Sequence, residues 1–505
     1  MIFSSVEFLL FFLPLFLAVY GLTPARMKNI TLLGGSLIFY AWGEPRYLLL
    51  LMVSVLVNFY AGRHLEASPR DGEEEGDEKF HMEQYGREAW YGRSLQGRED
   101  LAGWGSGPER QDLYGGEAAS DRRTQGIKRR LWLAGAVGFN VGLLVAFKTG
   151  LVPGGLPLGI SFYTFQSLSY LFDVYKGMRA ETSFGIFATY LAMFPQLISG
   201  PLVRYRDLQG TLRSREFRGR GLQEGLKVFT MGLAFKVLLA DRIGLLWQEV
   251  QVTGFESIST PLAWLGAVAF SLKIYFDFYG YSLMAMGVGR MLGFKLPENF
   301  RSPYMACTVR EFYQRWHMTL GGWFREYVYI PLGGNRRGEF RTVCNLLAVW
   351  LLTAVWHGST ANFLIWGMLL WLFIVMERQL EALGAADFLK RVPGKLLSRL
   401  YLWTVIPVTW MCFDIKEVEE LQIYLGRMFG IGAGGRVSPG DWVNALQNYR
   451  WLFLAGMISC TPVVINLFRR FRDSVPGSIL LAALFWFCVW RLQVEGKNPF
   501  MYFDF

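Results

Sequence analysis

Long apolar runs separated by short basic or glycine-rich breaks dominate the chain. The first, Val6–Leu22, nears the roughly 20 residues of a bilayer crossing. The chain starts MIFSSVE, and Arg26 and Lys28 follow the run, the reverse of a cleaved leader, so it reads as a retained transmembrane helix. Further runs are Asn29–Trp42, Tyr47–Tyr60, Leu131–Phe147, Leu156–Phe172, Phe184–Leu202, Leu226–Trp247, Pro261–Tyr279, Leu346–Met376, Leu400–Phe413, Trp451–Phe468 and Ile479–Trp490. The pattern predicts an all-α polytopic membrane protein of about 10–12 transmembrane helices. Several runs are shorter than a crossing needs, and Leu346–Met376 is longer and broken by HGST. Such runs predict re-entrant segments, because irregular backbone at membrane depth must be covered by protein or line a cavity.

One stretch departs from this pattern. Arg63–Arg130 contains EEEGDEK and has no apolar run, so it cannot bury enough surface to offset its ordering entropy. It predicts a flexible insert, residues 63–130, within a single membrane body, residues 1–505; a docking segment for a partner is the other use. If the first three runs all cross, Arg26, Lys28, Arg63, Lys128, Arg129 and Arg130 share one side. The positive-inside rule makes that side cytoplasmic and puts the N-terminus outside. RYRDLQGTLRSREFRGRG, with its six arginines, is a further cytoplasmic candidate.

Composition agrees with the membrane reading. Hydrophobic residues make up 52% and charged residues 18%, against about 25% charged in soluble chains. The net charge of +10 then reads as cytoplasmic loops rather than as a nucleic-acid surface. Five scattered cysteines with no CxxC spacing indicate neither a metal site nor a disulfide framework.

Four histidines carry the candidate chemistry. His64 and His81 lie at or in the charged insert and read as solvated. His357 interrupts an apolar stretch, where an ionisable group is costly and marks a functional site, the alternative being a histidine hydrogen-bonded between helices. His317 lies in TVREFYQRWHMTLGGWFREYVYIPLGGNRR. Thr308 and Glu311 have capping-box spacing, and Phe312, Trp316, Leu320, Trp323 and Tyr327 form one apolar stripe. That predicts an amphipathic helix with His317 at the stripe's edge, beside the polar side bearing Arg310 and Gln314. Together the histidines suggest proton transfer to or from a hydroxyl. No HExxH or GxSxG supports a metal or nucleophilic-serine site. Asp173 and Asp277 are the other carboxylates of interest, unless they pair with Lys176 and Lys273.

At these residues the sequence resembles the membrane-bound O-acyltransferase superfamily, and within it the bacterial alginate O-acetyltransferase branch. The resemblance rests on MIFSSVEFLLFFLP, LPLGISFYTFQSLSYLFDVYKG, FPQLISGPLVRY, IYFDFYGYSLMAMGVGRMLGFKLPENFRSPY, FYQRWHMTLGGWFREYVYIPLGGNR, VWHGSTANFLIWG and NPFMYFDF, in that order. It implies helices around a funnel and a narrow tunnel, in a multi-pass protein of the bacterial inner membrane. It also implies catalytic roles for His357 and His317. The implied donor is a cytoplasmic thioester, acetyl-CoA or an acyl carrier protein's thioester, with no tightly bound cofactor. The implied acceptor is an extracytoplasmic polysaccharide, reached through a partner transferase; a related branch passes D-alanyl groups toward teichoic acid. Three stretches depart from the family's pattern: GYSLMA has Leu283 where Asp is frequent, MTLGGWFREY replaces a serine-rich stretch, and MCFDI replaces an FFRA-like motif. None is expected to touch either histidine. In the reading this supports, His357 is the general base, His317 orients a reactant, and backbone N–H groups near Gly358 face the oxyanion. The rival class is a proton-coupled transporter or flippase using the aspartates and histidines as a relay.

Overall fold

The computed structural model describes residues 2–66, 116–198, 200–385, 392–431 and 437–495. Helices α1 (Leu13–Leu22), α2 (Lys28–Gly43) and α3 (Leu48–Leu65) run up and down. After the insert come α4 (Gly116–Lys148), α5 (Ile160–Tyr175), α6 (Phe184–Ala192), α7 (Phe194–Leu197) and α8 (Tyr205–Arg213). The centre is built by α9 (Gly219–Ala234), α10 (Asp241–Thr253) and α11 (Thr260–Met291). Two short helices, α12 (Val309–Arg315) and α13 (Met318–Phe324), precede α14 (Glu339–His357) and α15 (Ala361–Leu380). The chain continues through α16 (Val392–Asp414), α17 (Val418–Met428), α18 (Asp441–Cys460), α19 (Pro462–Phe471) and α20 (Val475–Glu495).

Among the described residues seven helices are long and apolar enough to cross a membrane, or eight if the pair α18 and α19, bent by 75°, counts as one. The sequence suggested more because several apolar runs form helices of 16 residues or fewer, such as α2 and α5. Leu346–Met376 is divided at HGST between two helices, α14 and α15. Glu339 of α14 bonds Arg378 of α15 at 2.7 Å and Trp350 packs on Trp366, so the two form an antiparallel hairpin with HGST at its turn. Most of the 63–130 insert lies outside the described residues. Helix extends into both of its ends, as far as Leu65 and from Gly116 onward.

Helix α11 is the axis of the bundle, and α9 packs against it backbone to backbone. A Cβ on Gly232 would lie 2.4 Å from the Gly280 carbonyl oxygen, and one on Gly225 would lie 2.5 Å from that of Gly287. Glycines seven apart on each helix therefore set an antiparallel contact that larger residues would force open. Basic side chains tie the helix ends together at one side. Lys28 Nζ donates to the Tyr20 carbonyl at 2.8 Å, Arg215 bonds Tyr20 and Asn29, and Tyr20 reaches the Leu292 carbonyl. Arg129 bonds the Leu65 and Tyr175 carbonyls at 2.9 Å.

Candidate active site

His317 does not lie on a continuous amphipathic helix. The cap at Thr308 forms as expected, with Glu311 N donating to Thr308 Oγ1 at 3.0 Å, but α12 ends at Arg315. His317 then takes the left-handed region at φ +44°, unusual for a residue with a Cβ, before α13 begins. The break is held by a strap. Met318 N donates to the Asn299 carbonyl at 2.9 Å and Arg301 N to the Arg315 carbonyl at 3.0 Å. These bonds satisfy backbone groups that the interrupted helix leaves open. The apolar stripe is divided accordingly: Phe312 and Trp316 join the main core, while Leu320, Trp323 and Tyr327 join a second core with Phe162, Phe165 and Trp356.

The break turns the His317 ring inward. It is buried, edge-on to Phe278 with centroids 4.7 Å apart. Nδ1 lies 3.0 Å from Asn299 Oδ1. That oxygen also accepts from Thr319 Oγ1 at 2.8 Å, while Asn299 Nδ2 donates to Ser282 Oγ at 3.2 Å, which fixes the amide's orientation. A carboxamide oxygen can only accept, so Nδ1 carries the hydrogen, and a neutral ring keeps its lone pair on Nε2. Nε2 is buried and has no hydrogen-bond partner among the described residues.

His357 is the last residue of α14 and is also buried. Trp356, Trp366 and Phe413 surround its ring with centroids at 4.5, 5.1 and 5.0 Å, and Phe363 stacks at 6.2 Å. Gly358 lets Phe363 approach, since a Cβ there would lie 2.3 Å from that ring. Asn362 Nδ2 donates to the Phe413 carbonyl at 2.9 Å and pins the turn to α16. Lys148 Nζ, at the end of α4, donates to the His357 carbonyl at 3.2 Å.

The fold brings the two histidines into one region. Lys148 and His317 are the charged or titratable groups near enough to act electrostatically on His357. Rings connect them: Phe413 packs on Trp410 at 5.6 Å, and Trp410 on Trp316 at 4.9 Å. Phe278, against which His317 rests, is about 18 Å along α11 from Arg290, and α14 rises about 27 Å from Glu339 to His357.

The supporting residues lie elsewhere. Arg310 and Gln314 are on the exposed side of α12, where the Arg310 guanidinium holds Glu381 at 2.8 Å. Asp173 accepts from Tyr327 at 2.9 Å and Arg206 at 3.4 Å rather than from Lys176, which sits over the Tyr327 ring. Asp277 pairs with Lys236 at 2.7 Å, not with Lys273, and Lys236 also holds Asp241. The departing stretches do reach the histidines' surroundings: Phe413 of MCFDI lies on His357, while Thr319 of MTLGGWFREY and Ser282 of GYSLMA both bond Asn299, which holds His317. Asn299, Ser282 and Lys148 are site residues that the sequence reading missed. Among the described residues no three of His, Cys, Asp and Glu gather as a metal site.

Seven or eight membrane-length helices among the described residues define a polytopic membrane protein. The chain belongs to the membrane-bound O-acyltransferase family, whose profile matches residues 180–413, a span that includes both histidines. It is 32% identical over its whole length to the whole of a "Probable alginate O-acetylase AlgI" from Pseudomonas putida. A peptidoglycan O-acetyltransferase of Helicobacter pylori is 30% identical over 85% of this chain and 80% of its own length. A teichoic acid D-alanyltransferase of Bacillus subtilis is 28% identical over 42% of this chain and 56% of its own. The chain is thus a multi-pass membrane O-acyltransferase, and the transporter alternative is set aside.

Proposed function

We propose that the chain moves an acyl group, acetyl foremost, from a cytoplasmic thioester to hydroxyls of an extracytoplasmic polysaccharide in the bacterial inner membrane. An extracytoplasmic partner protein takes part in the final transfer, and the donor is acetyl-CoA or a carrier-protein thioester. The basic ends of α1, α4, α8 and α11 face the cytoplasm, which puts the N-terminus outside. One observation carries the chemistry: two buried imidazoles, one with its acceptor nitrogen held open by Asn299.

His317 faces the donor side, where Nε2 accepts from an N–H or O–H of a reactant and orients it. His357, nearer the outer end, takes the proton as the hydroxyl oxygen attacks the thioester carbonyl. The new C–O bond forms, the C–S bond breaks, and the proton passes to the leaving sulfur. General-base assistance of this kind is typically worth about 10²–10⁴ in rate. Inverted membrane vesicles given labelled acetyl thioester on their cytoplasmic face test the reading. Label should appear on polymer inside the vesicles and be absent when the chain is deleted. Label found only on polymer outside them would overturn the cross-membrane direction.

A further inference from the structure

Helices α3 and α4 lie antiparallel along one side of the bundle. Asn58 and Asn140 exchange side-chain hydrogen bonds at 2.7 and 3.1 Å, and Arg129 donates to the Leu65 carbonyl at 2.9 Å. Between those two ties the outward residues are small. Val57, Ala61, Gly135 and Ala136 leave a groove of about 460 Å³ along the seam, with Leu131 and Trp132 beside it. A Cβ on Gly135 would meet no atom within 4 Å. Lys128 lines the groove's end, on one helix face with Leu131 and Gly135, and Gly135 lies about 10 Å further along the helix. The Lys128 side chain is exposed and has no ion pair or hydrogen bond among the described residues. At the same end His64 stacks on Trp132 with centroids 4.3 Å apart. Arg63 and Arg130 add charge there, against the one nearby described carboxylate, Glu66, at 3.9 Å from Arg63.

On the outside of a membrane bundle such a groove must be filled, because bare walls forfeit their dispersion contacts. Its floor is apolar, so a polar ligand or an irregular peptide backbone lying in it would go unsatisfied. A second copy of the chain packed on α4 would draw the unpaired Lys128 ammonium into the contact at a cost. A hydrocarbon chain meets the floor's requirement, and the cation at its rim then asks for an anion at the level of the headgroups. Basic residues at the end of a gap between membrane helices, with a tryptophan at the same level, suit a negatively charged lipid headgroup.

We infer that the α3–α4 groove binds one phospholipid of net negative charge, its acyl chain along Ala61 and Gly135 and its phosphate at Lys128. The site lies on the outer wall of the bundle and does not depend on the acyl-transfer reading. Only 22% of the α4 span is buried by protein, and its far end carries Lys148 to the His357 carbonyl. The lipid braces a helix that the rest of the bundle covers thinly.

The test places the full-length chain in phosphatidylcholine nanodiscs with a trace of phosphatidylglycerol that carries a photoreactive diazirine in its acyl chain. Adducts mapped by mass spectrometry should concentrate at residues 57–61 and 131–136 over α20, a span of which 17% is buried. Unlabelled phosphatidylglycerol should displace them at about fivefold lower concentration than added phosphatidylcholine, the worth of one lysine near the membrane surface. Lys128→Gln should erase that preference and Lys128→Arg should keep it. Gly135→Leu, whose side chain enters the open groove, should remove the adducts from both helices. Equal adduct density on α20 would overturn the inference in favour of ordinary surrounding lipid. A preference that survives Lys128→Gln would overturn it as well, as would inorganic phosphate that displaces the probe as effectively as phosphatidylglycerol. So would a wild-type dimer that Gly135→Leu makes monomeric while the adducts persist, since a second copy would then cover the seam.

Discussion

His357 closes a helix inside a cage of aromatic rings, whereas His317 interrupts a helix and is tied by hydrogen bonds to a strap from another part of the chain. The cage around His357 excludes water and fixes the ring by shape. The network around His317 fixes which nitrogen carries the hydrogen. A proton acceptor benefits from the first arrangement, because every electrostatic interaction is stronger in a dry site. An orienting group benefits from the second, because a defined tautomer gives a defined direction. The contrast supports a division of labour between the rings.

The sharpest way to break that contrast is to remove the rings in turn. His357→Ala should lower acyl transfer by about 10²–10⁴-fold, the usual worth of a general base, with insertion and size-exclusion profile unchanged. Transfer near the wild-type rate in expression-matched vesicles would end the assignment. His317→Ala should also remove most activity. The double variant should be no slower than His357→Ala, because residues that act as one catalytic unit are not additive. A double variant slower by the product of the two single losses would show that the histidines work independently.

Part of this comparison was legible along the chain. The cap at Thr308 is local chemistry, and Thr-x-x-Glu announces it wherever it occurs. The break at His317 was not, because Phe312 and Trp316 before it, and Leu320, Trp323 and Tyr327 after it, each keep helical spacing. Periodicity records the spacing within a helix and cannot register that a left-handed residue has sent the two halves of a stripe into different cores. HGST marked a break near His357, but only the contacts from Arg378 to Glu339 and from Trp366 to Trp350 reveal an antiparallel hairpin. Lys236, 41 positions from Asp277, and Arg206, 33 from Asp173, displaced the sequence-adjacent lysines as partners. Ion pairs between helices depend on packing, which no local pattern contains.

Asn299→Leu separates tautomer from presence. The imidazole remains, but Nδ1–H and the Thr319 hydroxyl lose their acceptor and the Ser282 hydroxyl its donor. A buried donor left unmet costs about 1–3 kcal/mol, and release of the ring should slow transfer about 10- to 100-fold. The loss should be smaller than that of His317→Ala, and Asn299→Gln should recover little, since its longer arm cannot keep the strap's register. Wild-type turnover by Asn299→Leu would mean that the network is structural and that His317 needs no fixed tautomer.

The smallest effect should come from Lys148, on the other side of the contrast. Its ammonium bonds the carbonyl of the final α14 residue and lies 5.8 Å from the Trp356 ring centroid, so it caps the helix that presents His357. A cation at a helix C-terminus is worth about 0.3–1 kcal/mol, and up to about 2 when partly buried. Lys148→Met should therefore cost a few-fold in kcat, roughly what 1 kcal/mol of barrier is worth. Lys148→Arg should restore most of it, because a guanidinium can cap the same carbonyl. A loss as large as that of His357→Ala, not rescued by arginine, would place the lysine in the chemistry itself and make the aromatic cage as dependent on charge as the Asn299 network.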